Sequence, residues 1–182
     1  FEIFAHRLPE KTPHSRLLSE LTQMARGRHP LTAQVPSPMG HIIRSHLQDF
    51  LAHMPEGFDL KGASIGNLVL TAGYLNNQRR LDPAIYLFAG LVQARGVVRP
   101  VVNQYRHLVA QLESGTVFVG QHRLTGKEAA PITAPVRRLY LCEDSSTPRP
   151  ASVQIHARVR DLIRSAELIC YPMGSFYSSL IA

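Results

Sequence analysis

Residues 152–182 read SVQIHARVRDLIRSAELICYPMGSFYSSLIA, and their pattern decides the fold class. Ser152 to Ser165 carries Val153, Val159, Leu162 and Ile163 at helical spacing. Glu167 to Tyr171 is a short apolar run of strand length. Pro172-Met173-Gly174 is a turn, and Ser175 opens another helix. Helix, strand, helix is the repeating unit of a parallel-sheet α/β protein.

Upstream, proline and glycine punctuate a run of helices. Thr12-Pro13 opens a helix that Gly27 closes, with a hydroxyl cap, Pro at the first helical position and Leu17, Leu18, Leu21 and Met24 on one face. Ser37-Pro38 opens a second helix, with Ile42, Ile43, Leu47, Phe50, Leu51 and Met54 on its apolar face and Pro55 and Gly57 at its end. A third runs from near Ser64 through Leu75. A fourth opens at Asp82-Pro83, closes at Gly96 and buries Ile85, Phe88, Ala89 and Val92. After Gly96 the texture turns β-branched. Val97–Val102, Thr116–His122 and Val136–Cys142 read as strands, with turns at Ser114-Gly115 and Thr125-Gly126. The organisation is therefore a helical segment 1–96, a strand-rich segment 97–142 and an α-β-α segment 152–182.

Composition bounds the function. The 182 residues are 45% hydrophobic, enough for a core and too many for a disordered chain. No run of 18 apolar residues is present to span a bilayer. The net charge of +7 comes from bases scattered in pairs such as Arg79-Arg80 and Arg137-Arg138, a solvated surface rather than a nucleic-acid or membrane patch. Cys142 and Cys170 both lie in apolar runs, which fits buried thiols in a reducing, cytoplasmic compartment. Phe1 at the start and SFYSSLIA at the end read as the cut edges of a longer protein.

Two segments can carry chemistry. In Gly62-Ala63-Ser64-Ile65-Gly66-Asn67 a glycine-bearing loop enters a helix at Ser64. Free N–H groups and the positive end of the helix dipole favour an anion there. Gly66 permits close approach to the backbone, and Asn67 offers a donor and an acceptor. In Tyr171–Ser179 a turn lies at the carboxyl end of a strand, where open α/β sheets place ligands. Gly174 and Ser175 expose N–H groups, and Ser175 and Ser178 share a face of the first helical turn. The plainer reading of both segments is helix capping. Two such loops together point to a phosphorylated ligand. The nine histidines form no HExxH, no CxxC motif occurs, and the histidines read as surface or capping residues, so no metal ligand is assigned. Glu143-Asp144 are adjacent and point apart, and no base is placed to activate Ser175, so the catalytic residues stay unknown.

Five blocks, in order, resemble the family that contains 2-phospho-L-lactate transferase (CofD) and the gluconeogenesis factor YvcK. Ser64-Ile65-Gly66-Asn67-Leu68 resembles SIGNL, and Ala94–Val101 resembles VRGRVLPVT. Leu112–Gly120, LESGTVFVG, resembles LEDGTVVxGE, and Pro135–Leu141 resembles IKRVFL. Ile163–Ser179 resembles IREADLIVLGPGSLYTS. The likeness covers about residues 60–182; residues 1–59 carry no such block. Tyr171 and Met173 stand where the YvcK pattern has small residues, Arg99 stands where it has Leu, and the Ser-Asn-Pro element of true transferases is missing. The chain thus resembles a divergent branch nearer YvcK than CofD.

The resemblance implies a Rossmann-like α/β fold, a mainly parallel sheet flanked by helices, with a β-rich insertion near 97–142. Residues 1–182 would be part of one larger domain whose N-terminal Gly-rich loop and acidic segment precede them. Ser64, Gly66, Asn67, Gly174, Ser175 and Ser178 would line a cleft for a nucleotide-diphosphate ligand. In a transferase the ligand is a guanosine-diphosphate lactate, used with magnesium to pass phospholactate to a deazaflavin. In a regulator it is a UDP-sugar that is bound and not turned over. A structural or interaction module remains a third reading. The base, the acceptor and the oligomeric state, a homo-oligomer included, stay open.

Overall fold

The structure, a computed structural model, describes residues 2–124, 132–171, 173, 174 and 177. The chain divides into two compact units, Phe1–Pro100 and Val101–Ala182. Together they are a mixed α/β protein.

The first unit is helical. A 3-10 turn, Glu2–Phe4, precedes α1 (His14–Ala25), α2 (Pro30–Ala33), α3 (Met39–His53), α4 (Ile65–Asn76) and α5 (Leu81–Leu91). Spacing of three and four puts Leu17, Leu21 and Met24 of α1, and Ile43, Leu47 and Phe50 of α3, on buried faces. Helix α3 packs against α1 and α4, and α4 adds Ile65, Leu68, Val69 and Ala72 to the same core. Each such aliphatic side chain contributes roughly 1.5–3 kcal/mol by leaving water. Gly73 keeps α4 close to its neighbours: a Cβ there would lie 3.4 Å from both the Ala84 Cβ and the His46 Nε2.

The helix ends correct the sequence reading in detail. Pro13 and Pro38 are themselves the residues flanking α1 and α3, and neither start has a side-chain cap. Helix α5 begins at Leu81, before Asp82-Pro83, which fill its first turn where an acid suits the dipole and a proline loses no bond. It ends at Leu91 rather than Gly96. The chain turns away at Gln93, which adopts the left-handed φ of 53° itself. Ala84 and Leu91 are its buried residues, while Ile85, Phe88 and Ala89 are half-buried and Val92 is exposed.

The second unit is built on a three-stranded antiparallel sheet in the order β2-β1-β3, with β1 His107–Leu112, β2 Val117–Val119 and β3 Val136–Cys142. Strand β1 pairs Val109 with Val119 on one side and with Tyr140 on the other. It buries Leu108, Val109, Ala110 and Leu112, as a central strand does. The hairpin turns at Gly115, whose φ of 86° suits glycine. Helix α6 (Gln121–Leu124) follows β2, and α7 (Ala157–Arg164) lies beyond β3. After β3, Asp144 accepts bonds from the amide and hydroxyl of Ser146 and the hydroxyl of Thr147. These bonds draw its carboxyl down from 3.8 to about 2.

Several expectations fail here. Among the described residues the ladders are antiparallel, not parallel. Glu167–Tyr171 enters no ladder and is exposed throughout, because a strand needs a neighbour to take its N–H and C=O groups. Val97–Val102 is likewise irregular: Val97, Val98 and Val101 stand in solvent, and Pro100 has no N–H to give. The reading of Thr116–His122 as one strand is too long, since α6 starts at Gln121. Helix α7 starts five residues after Ser152, where His156 caps it by accepting from the Arg158 amide at 3.3 Å. The turn at 125–126 and the helix opened by Ser175 lie outside the described residues. No helix of the described residues is long and apolar enough to cross a membrane.

The cysteines separate. Cys142 is buried at the end of β3, and burial together with the nearby Asp144 carboxylate pushes its pKa up. Cys170 is exposed, because the run around it is no strand. The folded protein should therefore release one equivalent of thiol to an aromatic disulfide reagent, from Cys170, and the second only on denaturation. Fast reaction of both thiols in the native state would contradict the burial of Cys142.

Candidate functional site

The best-formed candidate site is the start of α4. Its position is set from the N-terminal side by backbone pairing. The Leu8 amide donates to the Ala63 carbonyl at 2.9 Å, the Gly62 amide to the Leu8 carbonyl at 2.9 Å, and the Ile65 amide to the His6 carbonyl at 3.0 Å. Arg7 and Ser64 form an antiparallel bridge, and the Arg7 guanidinium donates to the Gly62 carbonyl at 3.0 Å. Arg7 thereby brings an exposed cation to the loop that leads into α4.

Ser64 is the N-cap, with extended backbone (φ −82°, ψ 125°) and a hydroxyl that accepts from the Asn67 amide at 3.5 Å. That distance is the outer limit of a hydrogen bond, so the cap is a weak one. The Ile65 amide is spent on His6. The Gly66 amide has no partner among the described residues, and Asn67 is exposed with its carboxamide likewise unpartnered among them. One unpartnered amide, one exposed carboxamide and the dipole end of a 12-residue helix are the groups here whose chemistry suits an anion. Glu10, whose side chain borders Gly62, is the opposing charge.

Gly66 has a role that the sequence does not show. It is buried, and a Cβ on it would lie 2.7 Å from the Phe4 carbonyl oxygen. The close approach this glycine permits is made by the protein's own 3-10 turn. His6, which supplies the carbonyl for Ile65, is itself anchored: its Nε2 lies 3.0 Å from the Glu20 Oε1, and the His29 Nε2 lies 3.9 Å from the same oxygen. Nothing in the local sequence signals Arg7, His6 or Phe4 as neighbours of Ser64, because they come from more than fifty residues away.

The other candidates stand elsewhere. Gly174 is exposed at a bend in the second unit, and Ser175 and Ser178 lie outside the described residues. Ser64, Gly66 and Asn67 are the ones brought together, in one helical turn of the first unit. Several histidines serve the fold. His29 accepts from the Leu31 amide at the start of α2, and the rings of His46 and His53 bond the Ile42 and Asp49 carbonyls one turn back. Among the described residues no group of three or more His, Cys, Asp or Glu could hold a metal ion.

Two substitutions grade these contacts. Gly66→Ala forces a methyl against backbone and should cost on the order of 1–3 kcal/mol. Ser64→Ala removes a long cap bond and should cost only about 0.5 kcal/mol, the low end for caps. Urea unfolding of both variants tests the order. A Gly66→Ala protein as stable as the parent would contradict the contact with Phe4.

With this geometry in place, the relatives can be stated. The family model for 2-phospho-L-lactate transferase CofD matches residues 10–182, so the likeness reaches well upstream of residue 60. Gluconeogenesis factor of Listeria monocytogenes is 32% identical over 125 residues, covering 68% of this chain and 34% of that protein. Gluconeogenesis factor of Bacillus subtilis is 29% identical over 136 residues, covering 74% and 39%. A UPF0052-family protein from Bacillus halodurans shares the fold, with a TM-score of 0.53 at 24% identity over 87% of this chain and 49% of that one. The chain thus spans little more than a third of the curated relatives it matches. The match over residues 10–182 and the likeness to the gluconeogenesis factors show that the chain belongs to the CofD family, on its YvcK-like side.

Proposed function

We propose that this chain supplies part of a nucleotide-diphosphate site, with the start of α4 as one of its phosphate- or sugar-binding edges. The observation that carries the proposal is the open Gly66 amide beside the exposed Asn67 carboxamide, held at a helix N-terminus next to Arg7. Gly174, Ser175 and Ser178, in the second unit, are the other residues proposed to bind phosphate. The Rossmann-like parallel sheet of the family belongs to the same proposal.

The first reading of the ligand is a UDP-sugar bound for regulation. It is supported by relatives named gluconeogenesis factor, at 29–32% identity. The second is a guanosine-diphosphate donor whose phospholactyl-type group passes to a deazaflavin-like acceptor. It is supported by the family model, which is named for a transferase. In that case the same donors would stabilise charge developing on the bridging phosphate.

The test is calorimetric titration of the full-length protein with UDP-sugar, UDP and GDP, with and without magnesium. The first reading expects UDP-sugar binding without turnover. Asn67→Ala should weaken it about tenfold, the equivalent of roughly 1.4 kcal/mol. Turnover of a GDP-linked donor would replace the first reading by the second. Nucleotide affinity unchanged in Asn67→Ala would remove the α4 start from the site and leave a structural role for it.

A further inference from the structure

A second site lies wholly within the second unit and shares no residue with the start of α4. A cavity of about 800 Å³ opens between the segment leading into β1 and the segment leading out of β2. Tyr105, Arg106 and His107 line one side, and Gly120, Gln121 and His122 line the other. Val101, Leu108 and Leu141 give it an apolar wall. We infer that this cavity binds a small organic anion, an apolar or aromatic body carrying a phosphate or a carboxylate.

Charge is the first argument. The side chains lining the cavity among the described residues include three bases, Arg106, His107 and His122, and no carboxylate. Two acids lie nearby, and their charge reaches Arg106 and His107 from outside the lining. Glu143 pairs with the Arg106 Nη2 at 2.7 Å but does not line the cavity, and its side chain is 68% exposed. Asp144 is held by Ser146 and Thr147. The Gln121 carboxamide, on the cavity wall, can add neutral donors.

The second argument is the fixing of the cation. The Arg106 side chain is only 17% exposed, with Nη1 donating to the Tyr105 carbonyl at 2.9 Å and Nη2 to Glu143. Its Nε is buried and has no acceptor among the described residues. The guanidinium is thus held in one place on the cavity wall.

The third argument is that the backbone makes room for His122. Gly120 has a φ of 100°, and a Cβ on it would lie 2.6 Å from the His122 Cε1 and 2.9 Å from its Nδ1. The imidazole therefore rests over the glycine. At the rim, the Tyr105 ring is exposed and meets the His107 ring edge-on, 4.9 Å between centroids. It offers a face to a flat ligand, while the bases take its charge.

The experiment is titration of the full chain with phenyl phosphate, benzoate, benzyl alcohol and inorganic phosphate, followed by the imidazole signals of His107 and His122. The two aromatic anions should shift both imidazoles and bind about tenfold more tightly than benzyl alcohol, the effect of one charge-assisted contact. His122→Ala and Gly120→Ala, each checked for an unchanged backbone spectrum, should both weaken phenyl phosphate about tenfold. Should either variant unfold, His122→Gln serves in its place and should give the same loss. Equal affinity for benzyl alcohol and the anions would overturn the proposal, as would variants that bind like the parent. Inorganic phosphate binding as tightly as phenyl phosphate would overturn the organic part of the assignment. Benzoate and phenyl phosphate differing by tenfold would identify which anion the site takes.

Discussion

The first unit depends on one backbone contact: residues 6–8 run antiparallel to residues 62–65 and fix the start of α4. These bonds fix the register of the two segments. Gly66 lets the helix start come this close, because a Cβ there would lie 2.7 Å from the Phe4 carbonyl oxygen. Once α4 is placed, Ile65, Leu68 and Val69 reach the core that α1 and α3 fill from the other side. The same contact determines which groups at the helix start remain for a ligand. Ile65 spends its amide on His6, Asn67 gives its amide to the weak Ser64 cap, and the amide of the buried Gly66 has no partner among the described residues. Packing, and which groups are left over at the helix start, are thus set by neighbouring atoms of a single turn.

Much of the helical unit was legible because its signals are local. Leu17, Leu21 and Met24 recur at helical spacing, as do Ile43, Leu47 and Phe50, and these periods are those of the buried faces. Ser64 was legible as a cap for the same reason. The sheet was harder. Val136–Cys142 matches β3 residue for residue, but HLVAQL, the central strand, has neither clean alternation nor β-branched density. Val97–Val102 has the right residues and no partner, so it forms no strand. Strand formation is a property of pairs, and the pairing of β1 with both neighbours is not written in any one segment. Glu167–Tyr171, read as a strand, forms none for the same reason.

The site divides along the same line. Ser64, Gly66 and Asn67 were visible as a motif, yet the packing of Gly66 against Phe4 was not. Arg7, a cation bonded to the loop before α4, was invisible, because a contact over 55 residues leaves no local mark. Asp144 and the capping histidines show the complementary case. Side chains that draw the eye in a sequence, by charge or by metal-binding chemistry, are here absorbed into turns and helix ends. The family relationship supplies what spacing could not, since one family model runs through both candidate motifs, from residue 10 to residue 182.

The most direct measurement is a backbone amide NMR titration of the full-length protein with a UDP-sugar and, separately, with a guanosine-diphosphate compound. Gly66 carries the open amide and Asn67 the exposed carboxamide, so both should move with the binding isotherm for one of these ligands. Ile65, already bonded to His6, should move least in that turn. Saturable binding that leaves Gly66 and Asn67 unmoved for both ligands would contradict the assignment of the α4 start as a nucleotide-diphosphate site.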